Sequence, residues 1–135
     1  MSAPPRILVI EDDHAYRRIC CLALKSAGFG VVAAANATEG RRTLAEASFD
    51  LVLTDLLMPD SEGIDAIARL SQDFPGMRVV VMSGGGTTAA EECLRMAPEL
   101  GAAGVLRKPF TMEELIQAVH GALPGPTLIR NSAQP

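Results

Sequence analysis

Five short, continuously apolar runs alternate along the chain with five stretches in which apolar residues recur every three or four positions. The first run, Ile7 to Ile10, stops abruptly at Glu11-Asp12-Asp13. Tyr16, Ile19, Cys20, Ala23, Leu24 and Ala27 then follow at helical spacing, and Gly28 ends that helix. Val31 to Ala35 predicts a second strand, and Asn36 or Thr38 caps a helix that turns Leu44 and Ala45 inward. Leu51, Val52 and Leu53 predict a third strand running into Thr54 and Asp55, followed by a helix marked by Ile64, Ile67, Ala68 and Leu70. Val79 to Met82 predicts the fourth strand, which ends at Ser83 and three glycines. Ala90, Cys93, Leu94 and Ala97 mark a helix that Pro98 ends or kinks. Val105 and Leu106 give a short fifth strand, and Met112, Leu115, Ile116, Val119 and Leu123 form the clearest helical stripe of all.

Strands that are apolar throughout, separated by amphipathic helices, predict a parallel sheet covered on both faces. Right-handed crossovers reduce the topologies to a few, with a doubly wound five-stranded α/β sheet favoured. The pattern divides the chain into an N-terminal extension (1–5), one domain (6–123) and a flexible C-terminal tail (124–135) that opens with Pro124-Gly125-Pro126.

At 135 residues the chain is the size of a single domain, and 48% apolar with 21% charged residues excludes wholesale disorder. Sixteen acidic against twelve basic residues, with no basic tract, lack the electrostatics of a nucleic-acid binder. Cys20 and Cys21 adjoin on a predicted helix, where their side chains diverge, so a disulfide framework is not expected. No apolar run approaches the roughly 18–20 residues that span a bilayer. The N-terminus has neither the charged nor the long apolar region of a signal peptide. A cytoplasmic protein is the expectation.

In an open parallel sheet, ligands bind beyond the carboxyl ends of the strands. Glu11-Asp12-Asp13 lie at that edge after the first strand, Asp55 after the third, Ser83 after the fourth and Arg107-Lys108-Pro109 after the fifth. Carboxylates gathered there repel one another by on the order of 4 kcal/mol per pair at about 4 Å and an effective dielectric near 20. Lys108 supplies one compensating charge, and a hard divalent cation supplies the rest. Gly84-Gly85-Gly86 has no following Gly-Lys-Ser/Thr and is not a P-loop. His14 and His120 read as exposed helix residues, and the three cysteines have no metal-ligand spacing.

Ile7-Leu8-Val9-Ile10-Glu11-Asp12-Asp13, Leu53-Thr54-Asp55-Leu56-Leu57-Met58-Pro59 with Gly63, Met82-Ser83-Gly84 and Lys108-Pro109-Phe110, in this order at successive strand ends, closely resemble the receiver domain of response regulators. The resemblance runs from about Arg6 to Leu123. It implies a flavodoxin-like (βα)5 fold with strand order 2-1-3-4-5. Asp55 would be the phosphoryl acceptor, and Glu11 and Asp12, with Asp55 and the backbone carbonyl of Leu57, would hold Mg²⁺ (or Mn²⁺ in its place). Ser83 and Lys108 would meet phosphoryl oxygens, with a cis Lys108–Pro109 bond. The implied partners are a histidine kinase or phosphotransfer protein and a downstream protein bound across the fourth helix, fifth strand and fifth helix. Neither nucleic acid nor membrane is implied, and the expected state is a monomer or weak dimer. Such a module is not a conventional turnover enzyme; it assists its own phosphorylation and dephosphorylation. With only a dozen residues after the last helix, the expectation is action through protein contacts, or as a phosphoryl relay or sink.

The chain departs from the family's pattern in three respects. Val105, three before Lys108, replaces an aromatic that normally swings inward as the switch is thrown. The interval between Ser83 and Lys108 is a few residues long, around Gly84-Gly85-Gly86 and Pro98-Glu99-Leu100, which points to the fourth helix and its leading loop as the output element. Leu57 and Gly85 stand where polar side chains often orient the hydrolytic water, so the phosphorylated state should be long-lived. Two other readings stay open: a pseudo-receiver that binds partners without phosphorylation, and a Mg²⁺-dependent aspartyl phosphatase. The second wants another Asp two residues after Asp55, where this chain has Leu57.

Overall fold

A computed structural model describes residues 3–60, 63–84 and 88–124. Its elements run β1 (Arg6–Ile10), α1 (His14–Ser26), β2 (Gly30–Ala34), α2 (Ala37–Glu46), β3 (Leu51–Asp55), α3 (Asp65–Asp73), β4 (Arg78–Gly84), α4 (Thr88–Met96), β5 (Gly104–Lys108) and α5 (Met112–Ala122). The strands form one parallel sheet in the order β2-β1-β3-β4-β5, the doubly wound order expected. Gly85, Gly86 and the tail beyond Pro124 lie outside the described residues.

Alternate strand residues face two separate cores, which is why the strands read as unbroken apolar runs rather than as alternations. Ile7, Val9, Leu53, Val80 and Met82 pack with Cys20 and Leu24 of α1 and Leu115 and Val119 of α5. Leu8, Ile10, Val52, Val79 and Val81 pack with Leu44, Ile67, Leu70 and Leu94 from α2, α3 and α4 on the opposite face. On α2 the close approach is made by Gly40, where a Cβ would collide with the Ile10 side chain.

The helix ends follow local chemistry. Asp13 caps α1 and Asn36, not Thr38, caps α2, each through a side-chain oxygen that accepts a first-turn N–H. Gly28 has φ +98 just past the α1 C-terminus, a conformation that costs glycine little. At Pro98 the α4 helix gives way to a 3-10 turn, Ala97–Leu100. Thr111 and Glu114 form a reciprocal capping box on α5.

Ala45, expected inward, is exposed. Of the apolar positions at helical spacing on α1, Ile19 is 49% exposed and Ala27 is also exposed. The apolar stripe of α1 is wider than its covered face, and only Cys20, Ala23 and Leu24 are buried. On the ten-residue α2 the buried positions are Gly40 and Leu44, four apart, and Ala45 lies about 100° round the helix from that line.

Strand register aligns the carboxyl edge. Ile10 lies beside Thr54, Asp55 beside Met82, and Ser83 and Gly84 beside Arg107 and Lys108. The residues that follow β1, end β3 and end β5 are thereby brought to one rim.

Candidate functional site

The rim collects carboxylates around one ammonium. Single carboxylate oxygens of Glu11, Asp12 and Asp55 lie within 4.8 Å of one another. Glu11 and Asp55 are buried, whereas Asp12 is exposed and leaves the cluster open to water. Lys108 reaches in from the end of β5, its Nζ donating to Glu11 Oε1 at 2.5 Å and to Asp55 Oδ2 at 2.7 Å. The Lys108–Pro109 peptide is cis, as the resemblance implies.

The surrounding backbone fixes each carboxylate. Asp13 N–H donates to Glu11 Oε2 at 3.0 Å, and Arg17 Nη1 donates to the Glu11 carbonyl at 2.9 Å. Leu57 N–H donates to Asp55 Oδ1 at 2.8 Å, while the Leu57 side chain is exposed. Asp13 faces away to cap α1, and the Tyr16 N–H it accepts holds its carboxyl below the ordinary range. The acidic triplet is thus divided: Glu11 and Asp12 belong to the cluster, Asp13 to the helix.

Burial pushes the Glu11 carboxyl up, against the opposing pull of Lys108 and the Asp13 N–H, with repulsion from Asp55 adding to the rise. Burial alone would lower Lys108, but its hydrogen bonds to Asp55 and Glu11 outweigh that and hold the ammonium above its ordinary value. Lys108 thus lies as a charged ammonium between the side chains of Glu11 and Asp55.

Ser83 completes the rim differently. It is fully buried, yet among the described residues its hydroxyl has no hydrogen-bond partner. A buried hydroxyl left unpaired costs about 1–3 kcal/mol, so its retention beside an acidic cluster points to an acceptor that arrives from outside. The donor set, carboxylate oxygens with one water-facing side, suits a hard cation such as Mg²⁺ that keeps part of its hydration.

Two residues at the site carried no sequence signal. Tyr16, one of the residues at helical spacing on α1, is only half-buried and lays its ring 4.5 Å from Lys108 Nζ, with Phe110 packed at 5.7 Å between centroids. Asp60 anchors the loop after Asp55 onto α2, accepting from Ala37 N–H (3.0 Å), Thr38 N–H (2.9 Å) and Thr38 Oγ1 (2.9 Å). The Thr38 and Ala37 N–H groups hold the Asp60 carboxyl below its usual range. His14 and His120 are exposed, as expected, and all three cysteines are free. Val105 is 40% exposed and lines a cleft of about 860 Å³ between α4 and β5 together with Leu94, Glu91, Arg95 and Arg107. Arg107 spans that cleft with two hydrogen bonds to Glu91, at 2.6 and 2.9 Å.

A model of the response regulator receiver domain family matches residues 7–120. Among curated proteins, the DNA-binding transcriptional regulator NtrC of Azospirillum brasilense is 40% identical over 119 residues, covering 87% of this chain and 24% of that protein. The response regulator receiver protein CpdR of Brucella abortus is 32% identical over 121 residues, covering 87% of this chain and 96% of that one. The NtrC-type relatives are thus about four times the length that this chain spans in them. A response regulator receiver domain protein from Clostridium thermocellum superposes with a TM-score of 0.81 at 31% identity, over 93% of this chain and 98% of its own.

Proposed function

Because the chain belongs to the response-regulator receiver family of two-component signalling, we propose that it accepts a phosphoryl group on Asp55 from a histidine kinase or phosphotransfer protein, with Mg²⁺, and thereby switches its affinity for a partner. The observation that carries this reading is the pairing of a bridged ammonium with an orphaned hydroxyl. Lys108 contacts both Glu11 and Asp55, and Ser83 holds a buried donor that has no acceptor among the described residues.

An Asp55 carboxylate oxygen attacks phosphorus in line as the bond to the donor nitrogen breaks, giving an acyl phosphate and the free imidazole of the donor. Glu11, Asp12, Asp55 and the Leu57 carbonyl are the groups that would hold Mg²⁺, which when bound supplies positive charge to the equatorial phosphoryl oxygens. Leu57 N–H on Asp55 Oδ1 and Lys108 Nζ on Oδ2 fix the orientation of the carboxylate for attack. Lys108 then exchanges a carboxylate for a phosphoryl oxygen, and the Ser83 hydroxyl takes another. Because β4 and β5 are in register at Ser83–Arg107 and Gly84–Lys108, these two movements act on adjoining strand ends. The proposed output is the α4–β5–α5 face, and the proposed functional unit is 6–123. Among the described residues no helix is long and apolar enough to cross a membrane; the proposed setting is the cytoplasm, with the domain a monomer or weak dimer.

Intact-mass measurement after incubation with acetyl phosphate, with and without Mg²⁺, tests the proposal. One phosphoryl group gained only with Mg²⁺ supports it. No gain, even with a panel of histidine kinases as donors, favours the pseudo-receiver reading, to which the exposed Val105 in place of an aromatic lends the one specific support. An aspartyl phosphatase is disfavoured, since the exposed side chain two residues after Asp55 is that of Leu57 and offers no acid or base.

Ser83→Ala separates the roles of a polar and a merely structural residue. Removing an unpaired buried hydroxyl should leave the free protein as stable as wild type or more so, by up to about 1 kcal/mol in urea unfolding. Phosphorylation should slow by about 100–1,000-fold, the usual cost of losing one oxyanion donor. Loss of stability with an unchanged rate would make Ser83 a core residue and nothing more.

The apolar Leu57 cannot orient a hydrolytic water, so the acyl phosphate is expected to persist for minutes or longer once the donor is removed. Leu57→Asn should shorten that lifetime severalfold in a time course of intact mass. A wild-type lifetime of seconds contradicts the expectation.

A further inference from the structure

Resting on the phosphoryl-transfer reading of the site, we propose that Tyr16 is a positioning residue, whose ring face seats the Lys108 ammonium and guides it between the carboxylates and an incoming phosphoryl group. An ammonium has three N–H donors. Two point at Glu11 Oε1 and Asp55 Oδ2, and the Tyr16 ring lies 4.5 Å from the nitrogen. With the lysine side chain only 13% exposed, the ring stands where water would otherwise solvate the charge. The attraction of a cation to a ring face is strongest when the cation is desolvated in this way.

The ring is itself held in place. Tyr16 sits in the first turn of α1, with its backbone N–H on the Asp13 cap, and Phe110, two residues after Lys108, packs against it at 5.7 Å and 55°. The α1 N-terminus and the turn after β5 thus meet beside Lys108. A third carboxylate in that position would bind the ammonium more tightly and hold it back. An aromatic face attracts it without a competing lone pair, so Lys108 can pivot from carboxylate to phosphoryl oxygen without passing through solvent.

The chain has one tyrosine and no tryptophan, so ring-current effects near Lys108 have few sources. In the metal-free protein the Lys108 methylene protons next to the ammonium should resonate upfield of other lysines. That shift should persist in Tyr16→Phe and vanish in Tyr16→Leu. With acetyl phosphate and Mg²⁺, Tyr16→Leu should be labelled about three- to tenfold more slowly than wild type, and Tyr16→Phe should restore most of the rate. Tyr16→Met, unbranched and apolar, serves where the leucine variant fails to fold, and it should be equally slow. A wild-type spectrum without the upfield shift, a leucine or methionine variant at wild-type rate, or a phenylalanine variant as slow as leucine overturns the assignment. Wild-type protein that takes up no phosphoryl group removes the function proposed above and with it the guiding role of the ring. The ring-current measurement still reports whether Lys108 is seated on Tyr16, so the two failures are told apart.

Discussion

Asp55→Asn is expected to fold normally, to bind Mg²⁺ about tenfold or more weakly, and to take up no phosphoryl group from any donor. The folding half follows from the contacts of the side chain. Asparagine keeps an oxygen that can accept the Leu57 N–H, and Lys108 keeps Glu11 as its partner. The exchange also removes one of the negative charges crowded within 4.8 Å, so nothing in the electrostatics penalises the variant. The chemical half is absolute: a carboxamide is a far weaker nucleophile than a carboxylate and offers no acyl-phosphate product. Intact mass and a melting curve taken on the same sample check both halves. A variant that melts like wild type yet stays unlabelled establishes Asp55 as the acceptor. Full labelling of a folded Asp55→Asn protein moves the acceptor elsewhere and overturns the proposed function.

Much of this arrangement was legible in the chain because its causes are local or periodic. Strands covered on both faces have to be apolar throughout, so the runs Ile7–Ile10 and Val79–Met82 announced a parallel sheet, and polar residues at their carboxyl ends announced a rim. Asp13 and Asn36 cap helices three residues ahead of the N–H groups they accept, which is a sequence-local event. Periodicity also showed which helical residues share a face. It could not show how far the neighbouring elements extend over that face, so Ala45, expected inward, and Ile19, on the α1 stripe, lie exposed.

The parts that escaped are those whose partner is distant in sequence and whose residue type names no chemistry. Tyr16 looks like any apolar position on an amphipathic helix until β5 delivers Lys108 over its ring. Asp60 looks like a loop acid, and only the fold brings it to the α2 N-terminus 22 residues back. The roles of Glu11 and Asp13 could be told apart by proximity to the helix start, whereas the orphaned state of the Ser83 hydroxyl depends on its whole surroundings and needed the structure.

Lys108→Met is expected to produce the largest change in stability, and its pH dependence identifies the cause. Methionine fills a similar volume, but it leaves the fully buried Glu11 facing Asp55 with no cation between them. Breaking a buried pair from one side costs about 3–5 kcal/mol, to be read near neutral pH in the presence of a chelator. Burial already holds the Glu11 carboxyl above its ordinary value against the pull of Lys108, and without the lysine it rises further. A carboxyl whose folded pKa is raised binds its proton more tightly in the folded state than in the unfolded chain. The variant should therefore gain stability as pH falls from its raised folded pKa towards the unfolded carboxyl value of about 4.3. Wild type should instead keep the Lys108 contribution throughout neutral pH and lose it only on the alkaline side, above the unfolded lysine value of about 10.4 and through the raised folded one. A divalent cation offers the variant the same relief as a proton. Mg²⁺ should therefore bind it more tightly than wild type and recover much of the lost stability, while labelling at Asp55 stays slow for want of the ammonium. Urea unfolding of both proteins at about pH 5 and about pH 8, with chelator and with Mg²⁺, distinguishes this from a packing defect. A loss equal at both pH values and indifferent to Mg²⁺ would show that Lys108 serves the fold through its volume rather than through its charge.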